Sequence, residues 1–258
     1  MFVKWYVDSS LAPEIKSIIQ NMSQALTNQK KISLEIVSRE DSLLSRFMRS
    51  VSGDLLHIFG DAPLMKLHSK IVQTVFDEDR SKKLLSFGKG NITLSRFFLI
   101  DARDGDEIIL PNFGSLSLSL SSQEIKRGIF TNGTMNLPEN ISAIDISGKI
   151  TRSEALDGIY VASETNQLEA FRAGILTMRG VSIASRKSEY LDEIIGSENY
   201  FVIPQELEPE NFREILDSGL SDKGRKLATS ARHYVNENHS EKNCADSLLG
   251  LYEKVMRN

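Results

Sequence analysis

The sequence predicts an α/β protein in which two sets of βαβ units each form a mainly parallel sheet. Short apolar segments rich in β-branched and aromatic residues alternate with segments whose apolar residues recur at helical spacing. That alternation is typical of parallel strands joined through helices. The 258 residues are enough for one large domain or for two small ones.

The first half begins with a strand and a helix that Pro13, a residue favoured at helix starts, opens. The predicted strands of this half are at residues 2–8, 31–38, 54–60 and 71–77. A helical stretch surrounds Leu43, Leu44 and Phe47. FFLIDA (97–102) and EIILPNF (107–113) complete the half, and Asp104-Gly105 between them predicts a hairpin turn.

A Ser-rich segment at 111–122 (PNFGSLSLSLSS) predicts a linker, although SLSLSLS also fits an alternating strand. We therefore expect an N-terminal α/β lobe at 1–114 and a C-terminal α/β lobe at 115–258. Predicted strands of the second half are at 128–133, 141–148, 157–163, 181–185 and 200–204. LEAFRAG (168–174) predicts a short helix closed by Gly174, and two helices end the chain, the last one capped by Ser240.

The composition excludes several classes of function. A net charge of −4 gives no electrostatic reason to expect nucleic acid as a partner. No apolar run is long enough to span a bilayer, and the N-terminus lacks a secretory signal, so we expect a cytoplasmic protein. Peripheral attachment to a membrane stays open. Cys244 is the only cysteine, and its place on an apolar helix face predicts a buried, inert thiol.

Three segments in order carry a family resemblance: SETNQLEAFRAG (163–174), GVSIAS (180–185) and EYLDEII (189–195). They resemble the nucleotide-sugar half of retaining GT-B glycosyltransferases of the family 4 type, and the likeness extends over about residues 141–258. The resemblance implies two small Rossmann-like lobes facing a cleft, with the C-terminal helices bracing them. It implies a nucleotide-sugar donor on the second lobe and an acceptor on the first, near residues 8–10.

The same resemblance assigns the site residues. Glu169 would hold the ribose of the donor, while Glu164, Thr165 and Asn166 would lie near the donor sugar and phosphates, with Glu164 catalytic. His57, in a strand that brings a His to the cleft in that family, is a second catalytic candidate; a satisfied core His is the alternative. The local cations that could neutralise the diphosphate are Lys126, Arg127, Lys149 and Arg152.

Four departures from the family pattern favour an alternative function. Glu164 and Glu169 are five positions apart instead of eight, the loop after the first strand (DSSLAPE) lacks paired glycines, and Phe59 takes the place of a second His. The segment between 133 and 141 is too short for the helix and strand that normally supply an Arg and a Lys. The alternative is a catalytically inactive GT-B-like protein that acts as a partner or stabilising subunit of another glycosyltransferase. A second copy of the chain, in a homo-oligomer, is also open as a partner. An epimerase on the same fold ranks lower.

No metal or other cofactor is expected. The triplet Asp77-Glu78-Asp79 spells Asp-x-Asp, a donor-metal motif of another glycosyltransferase fold, but reads better as the first turn of a helix. The acidic cluster at 101–107 lacks the spacing of a calcium loop. The four histidines are scattered, without ligand spacing. The expected partners are therefore a nucleotide sugar and a glycan, lipid-linked or protein acceptor.

Overall fold

The computed structural model describes residues 1–29, 31–38, 54–60, 70–76, 92–114, 125–133, 141–147, 156–206 and 208–257. Contacts divide the chain into two compact units. The first, unit 1, comprises residues 1–12, 18–112 and 241–258, and the second, unit 2, comprises 13–17 and 113–240. The division at 112/113 lies close to the expected boundary at 114/115, and the last helix groups with unit 1.

Unit 1 is built on a six-stranded parallel sheet. Its strands are β1 (Phe2–Val7), β2 (Ser33–Ser38), β3 (Leu55–Phe59), β4 (Lys70–Thr74), β5 (Ile92–Arg96) and β6 (Glu107–Ile108). They are arranged in the order β2-β1-β3-β4-β5-β6. Every residue of β3 is buried, as expected of a parallel strand covered on both faces. Helix α1 (Pro13–Asn28) begins in unit 2 with its first turn and continues in unit 1.

The predicted hairpin around Asp104-Gly105 is wrong. A turn does form there, but β6 pairs with β5 in parallel, with Ser95 opposite Glu107. The segment FFLIDA (97–102) is not a strand either: β5 ends before it, at Arg96, and Leu99–Asp101 form a short 3-10 turn. A buried ion pair, Arg96 Nε to Asp106 Oδ2 at 2.6 Å, fixes this connection.

Unit 2 is built on a five-stranded parallel sheet. Its strands are β7 (Lys126–Thr131), β8 (Ile144–Asp145), β9 (Leu156–Val161), β10 (Ser182–Ser185) and β11 (Phe201–Val202). Its helices are α2 (Gln167–Met178), α3 (Glu189–Ile195), α4 (Pro209–Leu220) and α5 (Asp222–Asn238). The strand order is β11-β10-β9-β7-β8. The last helix of the chain, α6 (Glu241–Arg257), belongs to unit 1.

The two sheets have the same topology. In both, the first strand of the unit lies between the second and the third, and later strands extend outward from the third. The switch point is therefore between β1 and β3 in unit 1 and between β7 and β9 in unit 2. Ligands of open α/β sheets bind at such points, beyond the carboxyl ends of the strands. The predicted α/β class with parallel sheets is confirmed.

Helix α2 starts as expected and ends later than expected. Asn166 caps it, because its side chain accepts a hydrogen bond from the backbone N–H of Glu169 at 3.0 Å. Gly174, predicted as the C-terminal cap, lies inside the helix. A Cβ at Gly174 would come within 2.5 Å of the Phe113 ring, so glycine is required there for close packing.

Candidate functional site

His57 lies in the core of unit 1. It is fully buried, and burial lowers its pKa to about 3, so the imidazole is neutral. Trp5 Nε1 donates to Tyr252 Oη at 2.9 Å, which leaves the Tyr252 hydroxyl proton for His57 Nδ1 at 2.6 Å. His57 Nε2 then carries the other proton and donates to Thr74 Oγ1 at 2.7 Å. Both ring nitrogens are used, and His57 ties α6 to the sheet; the geometry gives no support to a catalytic role.

The loop at 8–10, expected near the acceptor, is closed on itself. Asp8 is 4% exposed, and its carboxylate accepts hydrogen bonds from the backbone N–H and the hydroxyl of Ser10, both at 2.9 Å. Gly60 packs against it: a Cβ on Gly60 would lie 3.0 Å from the Asp8 Cβ. This loop at the carboxyl end of β1 is therefore a tight turn.

Three of the predicted donor-site residues lie together at the carboxyl end of β9. Glu164, Thr165 and Asn166 are all exposed, in the loop that connects β9 to α2. Asn166 Nδ2 donates to the Glu164 carboxylate, so the two side chains are held side by side. The loop lies at the switch point of unit 2, where the sequence analysis placed the donor.

Glu169, the predicted ribose ligand, is turned inward. It is 1% exposed, and both carboxylate oxygens are occupied by side chains of unit 2. Tyr160 Oη donates to its Oε2 at 2.7 Å, and Arg172 Nη1 donates to its Oε1. Burial, followed by the charge of Glu169, raises the pKa of Tyr160 above its ordinary value, so the phenol keeps the proton that it donates. Glu169 anchors α2 to the sheet and presents no free oxygen.

Arg172 joins this carboxylate to a second one. Its Nε donates to Glu14 Oε1 at 3.0 Å, and Glu14 is 3% exposed. With the Asn132 amide oriented to satisfy its own partners, Asn132 Oδ1 accepts from Arg172 Nη1 at 2.7 Å and Nη2 at 3.2 Å. Burial alone would lower the pKa of Arg172, but its hydrogen bonds to Glu14 and Glu169 outweigh burial, so the pKa lies above its ordinary value. Glu14, Glu169 and Arg172 form what we name the acidic triad.

The acidic triad has one unmatched atom. Glu14 Oε2 is buried and has no hydrogen-bond partner among the residues that the structure describes. Asn132 follows the carboxyl end of β7, and Tyr160 belongs to β9, so the triad lies beside the same switch point as the 163–166 loop. Two carboxylates and one guanidinium give it a formal charge of −1.

Two of the predicted cations, Lys126 and Arg127, are not at this edge. Lys126 and Arg127 begin β7, at the amino end of the strand, and Arg127 Nε pairs with Asp157 Oδ2 at 3.0 Å. A strand advances about 3.3 Å per residue, so the two ends of this six-residue strand are separated by roughly 17 Å. Lys149 and Arg152 lie outside the described residues, as does the Asp77-Glu78-Asp79 triplet.

Sequence reasoning missed the cations that do follow carboxyl ends. Arg186 and Lys187 come directly after β10, and both are exposed. Lys187 pairs with Asp192 at 2.8 Å. These two cations could have been identified from the sequence, because basic residues directly after a predicted parallel strand lie at the carboxyl edge of the sheet. Arg172 was harder to find: its i−3 spacing to Glu169 is visible, but its partner Glu14 is 158 positions away.

Two features are absent from the described part of the chain. Within it, no group of three or more His, Cys, Asp or Glu side chains is arranged to hold a metal ion. Within the same residues, no helix combines the length and apolarity that a membrane crossing requires. Cys244 is buried as predicted, and burial raises the pKa of its thiol to about 12.

Comparison with known proteins adds evidence on the fold. No family model and no curated protein sequence matches the chain. Solved structures do. A glycosyltransferase from Rickettsia africae superposes with a TM-score of 0.58 at 12% identity, covering 100% of this chain and 99% of that one. WaaG, a glycosyltransferase involved in lipopolysaccharide biosynthesis, gives 0.56 at 12% identity, with 96% and 98% covered.

HepE from Anabaena, in complex with UDP, gives 0.55 at 11% identity, with 98% of this chain and 100% of that chain covered. The chain has a GT-B-like fold. At these identities the likeness establishes the architecture alone, because one fold hosts many functions.

Proposed function

We propose that this chain is a glycosyltransferase that moves a hexose from a nucleoside diphosphate sugar to a glycan, a lipid-linked molecule or a protein. One observation carries the proposal. The exposed polar loop at 163–166 lies at the switch point of unit 2, in a fold shared with glycosyltransferases over nearly the whole chain. The proposal includes retention of configuration and independence from metals and other cofactors, both implied by the family 4 resemblance.

The local chemistry of the loop fits a phosphorylated, hydroxyl-rich ligand. The first N–H groups of a helix lack partners within it and attract anions, and the 12-residue α2 begins directly after this loop. Thr165 and Asn166 add a hydroxyl and an amide that can bind sugar or phosphate oxygens. Glu164 is the exposed carboxylate of this loop, and we assign it to the reacting sugar. Since HepE is described in complex with UDP, UDP is the first ligand to test.

A second candidate function is a GT-B-like protein without catalysis that supports another glycosyltransferase. Charge placement favours it. Glycosyl transfer leaves negative charge on the departing diphosphate, which fixed positive groups must stabilise. Arg172 is matched by two carboxylates, while Lys126 and Arg127 begin β7 at the other end. Arg186 and Lys187 are the exposed cations after β10, and Lys187 is paired with Asp192.

Nucleotide binding separates the two functions. Thermal unfolding is followed with UDP, GDP and ADP, and a ligand at 100 times its dissociation constant should add about 2.7 kcal/mol to the free energy of unfolding. Thr165→Trp, which fills the exposed loop, should abolish the shift. The matched control Lys126→Trp changes an exposed residue at the amino end of β7 and should leave the shift intact.

Turnover decides between binding and catalysis. UDP-glucose and UDP-galactose are incubated with the chain, and release of UDP is measured with and without acceptor sugars. Release that Glu164→Gln abolishes while UDP still binds supports the enzyme. Binding without release, or no stabilisation by any of the three nucleotides, would remove the glycosyltransferase proposal and favour the partner function.

A further inference from the structure

The unmatched oxygen of Glu14 points to a ligand that no family resemblance assigns to this residue. A buried carboxylate oxygen without a hydrogen bond is uncommon, because burying a charged acceptor costs free energy that a partner must offset. Arg172 donates to Glu14 Oε1, while Oε2 has no donor among the residues that the structure describes. The exposed fraction of Glu14 is only 3%, so bulk water does not compensate for the missing partner.

The net negative charge around Glu14 adds to the cost of its unmatched oxygen. The acidic triad contains two carboxylates and one guanidinium, and Arg172 has already been shared between Glu14 and Glu169. Tyr160 donates its proton to Glu169 and not to Glu14. Asn132 accepts from Arg172, so it competes with Glu14 for donors instead of supplying one. A cluster that served stability alone would be better completed by a neutral Gln at position 14.

Beside Glu14, Arg172 has one N–H group that its described contacts leave unused. A guanidinium has five N–H groups. The described contacts of Arg172 use four of them: Nε to Glu14, Nη1 to Glu169 and Asn132, and Nη2 to Asn132. One N–H of Nη2 is therefore left, and 15% of the Arg172 side chain is exposed. The triad offers one acceptor and one donor near each other.

We infer that Glu14 Oε2, together with Arg172, binds a hydroxyl group of the sugar-containing ligand. A hydroxyl both donates and accepts, so it matches a free carboxylate oxygen beside a spare N–H. Glu14 thus takes the role that the sequence analysis gave to Glu169, whose two oxygens are occupied. Because Oε2 has almost no exposed surface, the hydroxyl reaches it from the exposed side of Arg172 after a rotation of the Glu14 side chain. This inference rests on the proposed binding of a nucleotide sugar at this edge.

The hydroxyl has two possible sources, the ribose and the transferred sugar, and paired ligands distinguish them. Binding of UDP is compared with that of 2′-deoxy-UDP and 3′-deoxy-UDP by calorimetry, and binding of UDP-glucose with that of UDP-2-deoxyglucose. For the wild-type chain, removal of the correct hydroxyl should weaken binding about tenfold, which is typical for a hydrogen bond to a charged group.

Glu14→Gln is the decisive variant. It should abolish the difference between the hydroxyl and deoxy ligands at one of the two sources, while the deoxy ligand binds as it does to the wild type. The unliganded variant should also unfold at a temperature equal to or above that of the wild type, because a buried unmatched charge is removed. A purely structural Glu14 predicts the reverse: a lower unfolding temperature and unchanged discrimination between the ligands.

Glu253→Gln is the matched control, since Glu253 is an exposed carboxylate of unit 1 paired with Arg257 at 3.5 Å. It should change neither stability nor discrimination. If UDP binds and Glu14→Gln leaves the deoxy ligands as disfavoured as before, the inference about Glu14 is wrong while the proposed function stands. If no nucleotide or nucleotide sugar binds to the wild type, both fail together.

Discussion

The two units share one strand order, but the polar groups buried beside their switch points differ in charge and in how completely they are hydrogen-bonded. In unit 1, Trp5 and His57 are register partners on β1 and β3, and Tyr252 completes a neutral chain of hydrogen bonds. In unit 2, Tyr160 on β9 donates to a cluster that contains two carboxylates and one guanidinium. The first network satisfies both nitrogens of its imidazole, while in the second no described residue donates to Glu14 Oε2.

That difference indicates where function belongs in the molecule. A neutral network with every donor matched stabilises a fold without needing a ligand. A charged cluster with an unmatched atom is costly, and proteins keep such features mostly where they bind or react with something. A buried histidine on a strand near a switch point is therefore weaker evidence for catalysis than an incompletely satisfied carboxylate.

The largest expected loss of stability comes from removing Arg172, the cation of the acidic triad. Arg172→Met leaves Glu14 and Glu169 buried without a countercharge, and such a loss typically costs about 3–5 kcal/mol of unfolding free energy. Urea unfolding measures it. Adding Glu169→Gln should recover part of the loss, because one buried charge disappears. Arg225→Met, at an exposed pair with Asp222, should stay within about 0.5 kcal/mol of the wild type.

If Arg172→Met proves as mild as Arg225→Met, the charged cluster is solvated and the contrast between the units disappears.

Lowering the pH should reduce the free energy of unfolding through unit 1, by less than Arg172→Met does. His57 in the folded chain has a pKa of about 3, against 6.5 for a free histidine, so between these values the unfolded chain binds one more proton. The free energy of unfolding therefore falls as the pH is lowered through this window, by about 2 kcal/mol from pH 7.5 to pH 5. Urea titrations at several pH values measure the slope.

The variant His57→Gln should lose most of this slope, whatever its stability at pH 7.5. An unchanged slope in the variant would show that another group is responsible. Burial also lowers the pKa of His239, in unit 2, so a smaller slope of the same sign is expected to remain.

A loss of stability similar in size to that caused by acid is expected from the removal of one hydroxyl. Tyr252→Phe removes the acceptor of Trp5 Nε1 and the donor to His57 Nδ1, which should cost about 1–3 kcal/mol. Tyr234→Phe is the control on α5, since no hydrogen bond joins the Tyr234 hydroxyl to the described residues, and it should be nearly neutral. Equal effects of the two variants would mean that the network of unit 1 contributes little to stability.

Much of the fold could be predicted from local patterns. Apolar residues in a row, such as those at 159–161, give strands because they can be buried on both faces, and Asn166 before an apolar segment gives a helix start. The hairpin prediction at Asp104-Gly105 was wrong because strand pairing is not determined by local sequence. A turn dipeptide fixes the local backbone, but pairing direction depends on where β5 lies in the sheet.

The candidate site likewise has one part that the sequence determines and one part that depends on tertiary contacts. The sequence alone determined that 163–166 is a polar loop between a strand and a helix, because both of its neighbours are encoded by contiguous residues. Only the tertiary structure decided which side chains meet there. Glu169 faces Tyr160 and Arg172, and Arg172 faces a Glu14 distant in sequence, so the state of each carboxylate depends on partners that no local spacing reveals. Charge neutralisation is a property of three-dimensional distance, and for that reason the cations chosen from sequence proximity, Lys126 and Arg127, lie at the amino end of β7.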